Sequence, residues 1–173
     1  MHQSSKLEHL IANSLLSLNS LTNEFHNVNF YQSLLQAIID MIPAADAGFL
    51  FVFDEKTKKL LVKTAIGYDP ASYRKTQLAP GESITGKVYQ TKRLQLINGQ
   101  SSIKQAMETM TEQNKMYYED SLLADEYPYT TLSFPILNQE RVLAVFTING
   151  FQKNASFDRI LEDVLNVISP YIL

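Results

Sequence analysis

The sequence predicts one α+β domain, and three observations carry that reading. Apolar residues recur at helical spacing near both ends of the chain. Between them lie two apolar hairpin patterns, each a pair of strands about a polar turn. Between the hairpins sits Pro80-Gly81-Glu82-Ser83-Ile84-Thr85-Gly86-Lys87-Val88-Tyr89. That stretch reads as a turn feeding a helix, with small residues where backbone amides would point at a bound group.

The totals set the bounds. A chain of 173 residues is one domain with short extensions, long enough to bury a core without staples. Hydrophobic residues at 45% and charged ones at 19% are globular proportions, which exclude disorder. A net charge of -3 argues against direct nucleic-acid binding. Zero cysteines removes disulfides, thiolate nucleophiles, thiol redox chemistry and Cys-type zinc sites together. The start, Met1-His2-Gln3-Ser4-Ser5, is no signal peptide, and no apolar run reaches membrane-spanning length. A cytoplasmic domain is therefore expected.

In order, residues 5–22 place Leu7, Ile11, Leu18 and Leu21 at helical spacing, over about two heptads. Residues 1–25 are thus set apart as an N-terminal helix suited to dimerisation or signalling, ahead of a domain over 26–173. A second helix over 29–42 carries Phe30, Leu34, Leu35, Ile38, Ile39 and Met41, and Pro43 stops it. Ala47 to Phe53 is apolar on both alternating faces, as in a strand covered on two sides. Asp54–Lys58 is a polar turn, Lys59–Ile66 is the partner strand, and Gly67-Tyr68-Asp69-Pro70 breaks the pattern. A helix of about ten residues follows the turn and runs to Lys92, then Arg93–Ile97 reads as a short strand. Residues 101–126 are least regular, with Ile103, Met107 and Met110 on one helical stripe before a tyrosine-rich, acidic run. The second hairpin pairs 131–137 with 141–149, and Pro135 marks an edge or a bulge, because it cannot donate to a ladder. A closing helix over 156–170 carries Phe157, Leu161, Val164, Leu165 and Ile168, and its abrupt end suggests truncation from a longer protein.

Helix, hairpin, short helix after a glycine-bearing turn, variable segment, hairpin, closing helix: this order resembles the GAF domain. Gly81-Glu82-Ser83-Ile84-Thr85-Gly86-Lys87-Val88 is similar to the family's Gly-x-Gly-Ile-x-Gly-x-Val, with Ser83 where the second glycine usually stands. Ser133-Phe134-Pro135-Ile136 followed by Val142–Phe146 is similar to its paired late strands. The resemblance covers about residue 26 to the end. It implies an antiparallel sheet of five to six strands, helices on one face and a small-molecule pocket on the other. Such domains are regulatory inputs to kinases, cyclases, phosphodiesterases or transcription factors. With no cysteine, the chain lacks the residue by which bilin-binding members attach chromophore and methionine-sulfoxide-reducing members act. The cyclic-nucleotide signature Asn-Lys-x-x-x-Phe is also unmet, since Asn114-Lys115 is followed by Met-Tyr-Tyr-Glu-Asp.

The residues offer few catalytic constellations. Gly81-Glu82-Ser83 begins like a hydrolase elbow, but the closing glycine comes one residue late. The histidines, His2, His9 and His26, all precede Ser83 and lack metal-ligand spacing. Ser83 is expected to cap the helix that follows, or to combine capping with a ligand contact. Glu119, Asp120, Asp125 and Glu126 read as a solvated acidic loop without a calcium-loop pattern. No catalytic residue, cofactor or metal is expected. Candidate ligand-binding residues are Phe51, Ser83, Thr85 and Tyr89 in the first half, then Met107, Met110 and Tyr117, then Ser133 and Thr147. The leading expectation is a non-covalent small-molecule sensor, homodimeric through its terminal helices and coupled to an output domain outside this chain. The rival is a dimerisation scaffold with a pocket filled by its own side chains. An enzyme and a PAS-like sensor stand behind both.

Overall fold

A computed structural model describes residues 28–157. The readings of residues 5–22, of the three histidines and of the closing helix beyond 157 lie outside the described residues.

The first element, α1 (Val28–Met41), ends just before Pro43, as its sequence dictates. Then come β1 (Ala47–Asp54) and β2 (Lys59–Ile66), a hairpin whose bounds match the alternation in the sequence. Asp69 caps the short α2 (Pro70–Tyr73) by accepting from the Ala71 amide at 3.2 Å, and β3 (Gln77–Leu78) follows. The turn–helix motif forms α3 (Ser83–Thr91), then come β4 (Gln95–Asn98), α4 (Gln100–Ala106) and α5 (Glu112–Ser121). The second hairpin is β5 (Thr130–Asn138) and β6 (Arg141–Gly150). All six strands form one antiparallel sheet in the order β3-β2-β1-β6-β5-β4.

The Ile103–Met107–Met110 stripe is not one helix. Helix α4 stops at Ala106, and Met107 and Met110 are buried in the turns beyond it. Beyond the helix, Thr109 accepts from the Ser83 amide and the Thr111 amide donates to Glu82. Pro135 satisfies both of its expectations. Strand β4 reaches only as far as Ser133, so Pro135 has no strand on that side, and a register shift follows at Ile136/Leu137.

The pleat sorts the sheet into two unlike faces. On one, Leu50 lies beside Phe146 and Phe134, and Ile148 beside Leu132. Helix α1 covers this face with Leu34, Leu35, Ile38 and Ile39, and Ile42 and Phe157 join them. On the other face, Phe49 lies beside Thr147 and Ser133, and Ala47 beside Asn149 and Thr131. That second, partly polar face is roofed by α2 to α5 and contributes to a separate aromatic-rich cluster.

Candidate functional site

The site begins with the turn into α3. Gly81 has φ +85°, which glycine adopts freely. At Gly86 a Cβ would come within 2.5 Å of the Ala79 carbonyl oxygen, so only glycine lets the helix pack this close to its own turn. Ser83 carries no such licence. It stands at φ +62°, in the left-handed region where a serine is strained by roughly 1–2 kcal/mol. The expected capping role is not what it does. The N-cap position belongs to Glu82, and the Ser83 hydroxyl has no hydrogen-bond partner among the described residues. Its amide is met by Thr109 Oγ1 at 2.9 Å.

Glu82 locks this turn to the start of α5. Its carboxylate accepts from the Ala79 amide at 2.8 Å, the Thr111 amide at 2.9 Å and Asn114 Nδ2 at 2.7 Å. Asn114 also clasps both the amide and the carbonyl of Gln77 on β3. Burial alone would raise the Glu82 pKa. The donors from Asn114, Ala79 and Thr111 outweigh it and hold the carboxyl below its ordinary range, so it is ionised at neutral pH.

A cavity lies between this turn and the polar face of the sheet. Its apolar walls come from Phe49, Phe51, Tyr73, Leu78 and Ile84, with Met107 and Met110 closing over them. Its polar lining comes from Thr76, Ser83, Thr85, Tyr118 and Ser121, and from Thr131, Thr147 and Asn149 on the sheet. The cavity is narrow, about 30 Å³, room for the centres of one or two waters. None of its walls carries a charged side chain.

Two hydrogen-bonded chains run through the polar face. In one, Thr85 Oγ1 lies 2.8 Å from Thr147 Oγ1, which lies 2.9 Å from Ser133 Oγ. In the other, Thr131 donates to Asn149 Oδ1 at 2.7 Å and Asn149 Nδ2 donates to the Tyr68 hydroxyl at 2.8 Å. The Tyr68 ring lies in turn against that of Tyr118, with centroids 6.1 Å apart. Burial, above all, pushes both tyrosines up, so each stays a neutral hydroxyl across the physiological range.

Of the residues expected from sequence, Phe51, Ser83, Thr85, Met107, Met110 and Thr147 meet at this cavity. Ser133 lies just behind its wall, fully buried and bonded to Thr147. Tyr89 stacks on Phe53 with ring centroids 4.7 Å apart, away from the cavity. Tyr117 is half-buried beneath the Lys75 ammonium, while its neighbour Tyr118 faces the cavity. The sequence reading missed Phe49, Tyr73 and Asn149. Phe49 shares its face with Phe51, and Asn149 is a polar residue in an apolar strand, so both left a signal in the alternation.

The comparisons fit this architecture. The family model for the GAF domain matches residues 29–172. The chain belongs to the GAF family. No curated protein matches the sequence. Among solved structures, the GAF domain of an Acinetobacter phosphoenolpyruvate-protein phosphotransferase is similar at 14% identity and a TM-score of 0.58, over 96% of this chain and 86% of that one. The GAF domain of nlh2 from A. aeolicus, in an inactive state, aligns at 18% identity and a TM-score of 0.58, covering 96% and 91% of the two chains. A type II free methionine-R-sulfoxide reductase from Thermoplasma acidophilum aligns at 14% identity and a TM-score of 0.56, over 80% and 84%. At such identities the likeness is one of fold.

Proposed function

We propose that this GAF domain is a regulatory sensor that binds a small organic ligand non-covalently in the cavity under α3. One observation carries the reading: Ser83 is held in a strained backbone conformation with its hydroxyl unpartnered at the cavity wall. Glycine would occupy that position without strain, and strain of this kind collects at functional sites. Binding is relayed to an output domain or partner, and the terminal helices of a homodimer are the route we favour. A ligand shifts that equilibrium only by its differential affinity for the two arrangements. The segment carrying Met107 and Met110 is suited to the change, since methionine repacks easily around a bound group. The non-enzymatic reading is favoured by composition: the chain contains no cysteine, so chemistry that needs a thiol is closed to it. No helix among the described residues is long and apolar enough to cross a membrane, and we place the domain in the cytoplasm.

A second reading is favoured by the narrowness of the cavity: a dimerisation scaffold whose pocket is filled by its own side chains. A thermal-shift screen against nucleotides, amino acids, organic acids and aromatic metabolites separates the two. A ligand at about 100 times its Kd adds about 2.7 kcal/mol, roughly 5–11 °C for a domain of this size. A saturable shift supports the sensor, and silence across the panel supports the scaffold.

A further inference from the structure

The two hydrogen-bonded chains also limit what the cavity can hold. The hydroxyls of Ser133, Thr147 and Thr85 form two links, so one of their three protons is left over, on one of the three. At the Ser133 end it would be a donor with no acceptor, on a residue that is 0% exposed and set behind the wall. Leaving a buried donor unpaired is unfavourable. Ser133 therefore donates to Thr147, and the spare proton belongs to the Thr85–Thr147 pair, both members of which line the cavity. The second chain ends on Tyr68, whose ring lies against that of Tyr118, and Tyr118 lines the cavity with a neutral hydroxyl able to donate. The unpartnered hydroxyl of Ser83, a residue only 5% exposed, is a third donor on the same space.

Charge is arranged against an ion. The walls hold no cation for an anionic ligand. Glu82, beside Ser83 in sequence and at the N-cap position of α3, already places an ionised carboxylate on the adjoining turn, bonded to Ala79, Thr111 and Asn114. A second negative charge would sit close to it in dry surroundings. A cationic ligand fares no better, because the Glu82 oxygens face Ala79, Thr111 and Asn114.

We infer that the ligand is uncharged and presents a hydrogen-bond acceptor oxygen, such as an amide, lactone or ketone carbonyl, to Ser83, Tyr118 and the Thr85–Thr147 pair. Phe49, Phe51 and Tyr73 suit a flat apolar body behind that oxygen. The inference rests on the reading that the cavity binds a ligand, and its test separates the two. Ring fragments are offered as matched carboxamide, carboxylate and amidine, beginning with benzamide, benzoate and benzamidine. Binding is followed by amide NMR shifts at Ser83, Ile84, Thr85 and Thr147. Carboxamides are expected to bind about tenfold or more tightly than their charged partners, and Tyr118→Phe and Thr85→Val to weaken them about tenfold each, the worth of one hydrogen bond. Two variants allow for loss of one to misfolding, which the same spectra reveal. Tighter carboxylate or amidine binding at the same amides would overturn the ligand class and leave the cavity reading standing. Unchanged carboxamide affinity in the folded variants would overturn the donor assignment. No response at those amides from any member would overturn the cavity reading and the inference together.

Discussion

The two faces of the β5–β6 hairpin come from the same residues taken alternately, yet they are built differently. Leu132, Phe134, Phe146 and Ile148 point to α1 and make a dry core. Thr131, Ser133, Thr147 and Asn149 point the other way and are all buried, joined in hydrogen-bonded chains. Burying apolar area stabilises a fold directly, whereas a buried hydroxyl only recovers what it lost in leaving water. A sheet selected for stability alone would place valine and isoleucine on both faces. The polar face is therefore where this fold departs from the requirements of packing, and it is the face that carries the cavity.

The comparison breaks if mutations on the two faces act alike. The largest effect is expected from Phe146→Ala, which removes a ring stacked on Phe134 with centroids 5.5 Å apart. It should cost about 3–5 kcal/mol in urea unfolding. Glu82→Gln comes next, because an amide group would face one of the donors that the carboxylate now accepts from, at a cost of about 1–3 kcal/mol. It should also change the acid limb. The folded-state pKa of Glu82 is depressed, so its contribution is complete above the ordinary carboxylate value of about 4.3 and is lost as pH falls through the folded value. The variant should show a flatter decline in stability below about pH 4.3.

A finer test concerns the hydroxyl chain. Thr147→Val keeps the shape but strands Thr85 and Ser133, and should cost about 1–2 kcal/mol. Removing all three hydroxyls as Thr85→Val, Ser133→Ala and Thr147→Val should cost less than the sum of the single changes, because no orphaned group remains. Additive losses would mean the three hydroxyls are independent.

Much of the fold was legible in the sequence, because its strands are apolar runs parted by polar turns and α1 has a clear apolar stripe. Strand β1 and its partner β2 fell where the pattern placed them, and Gly86 marked a real close approach. The roof was not legible. Helices α4 and α5 are short, and the contacts that shape the chain around them are long-range: Thr109 meets Ser83, and Asn114 meets Gln77. Tyr117 was expected where Tyr118 stands, because one position on a helix rotates a side chain by about 100° and α5 has no clear apolar stripe to fix its phase. Tyr89 was placed by its proximity to the motif, but Ile84, Thr85 and Val88 take the buried side of α3. Ser83 was read as a cap, alone or with a ligand contact; its positive φ left a mark only in the glycine that the family usually carries there.

That strained serine gives the most direct measurement: the melting temperature and ligand response of Ser83→Gly beside the unaltered domain. If Ser83 is kept for its hydroxyl, glycine should relieve about 1 kcal/mol of strain and raise Tm by roughly 2–4 °C, while the saturable ligand shift shrinks. A variant that melts no higher, or that gains stability with its ligand response intact, would contradict the account.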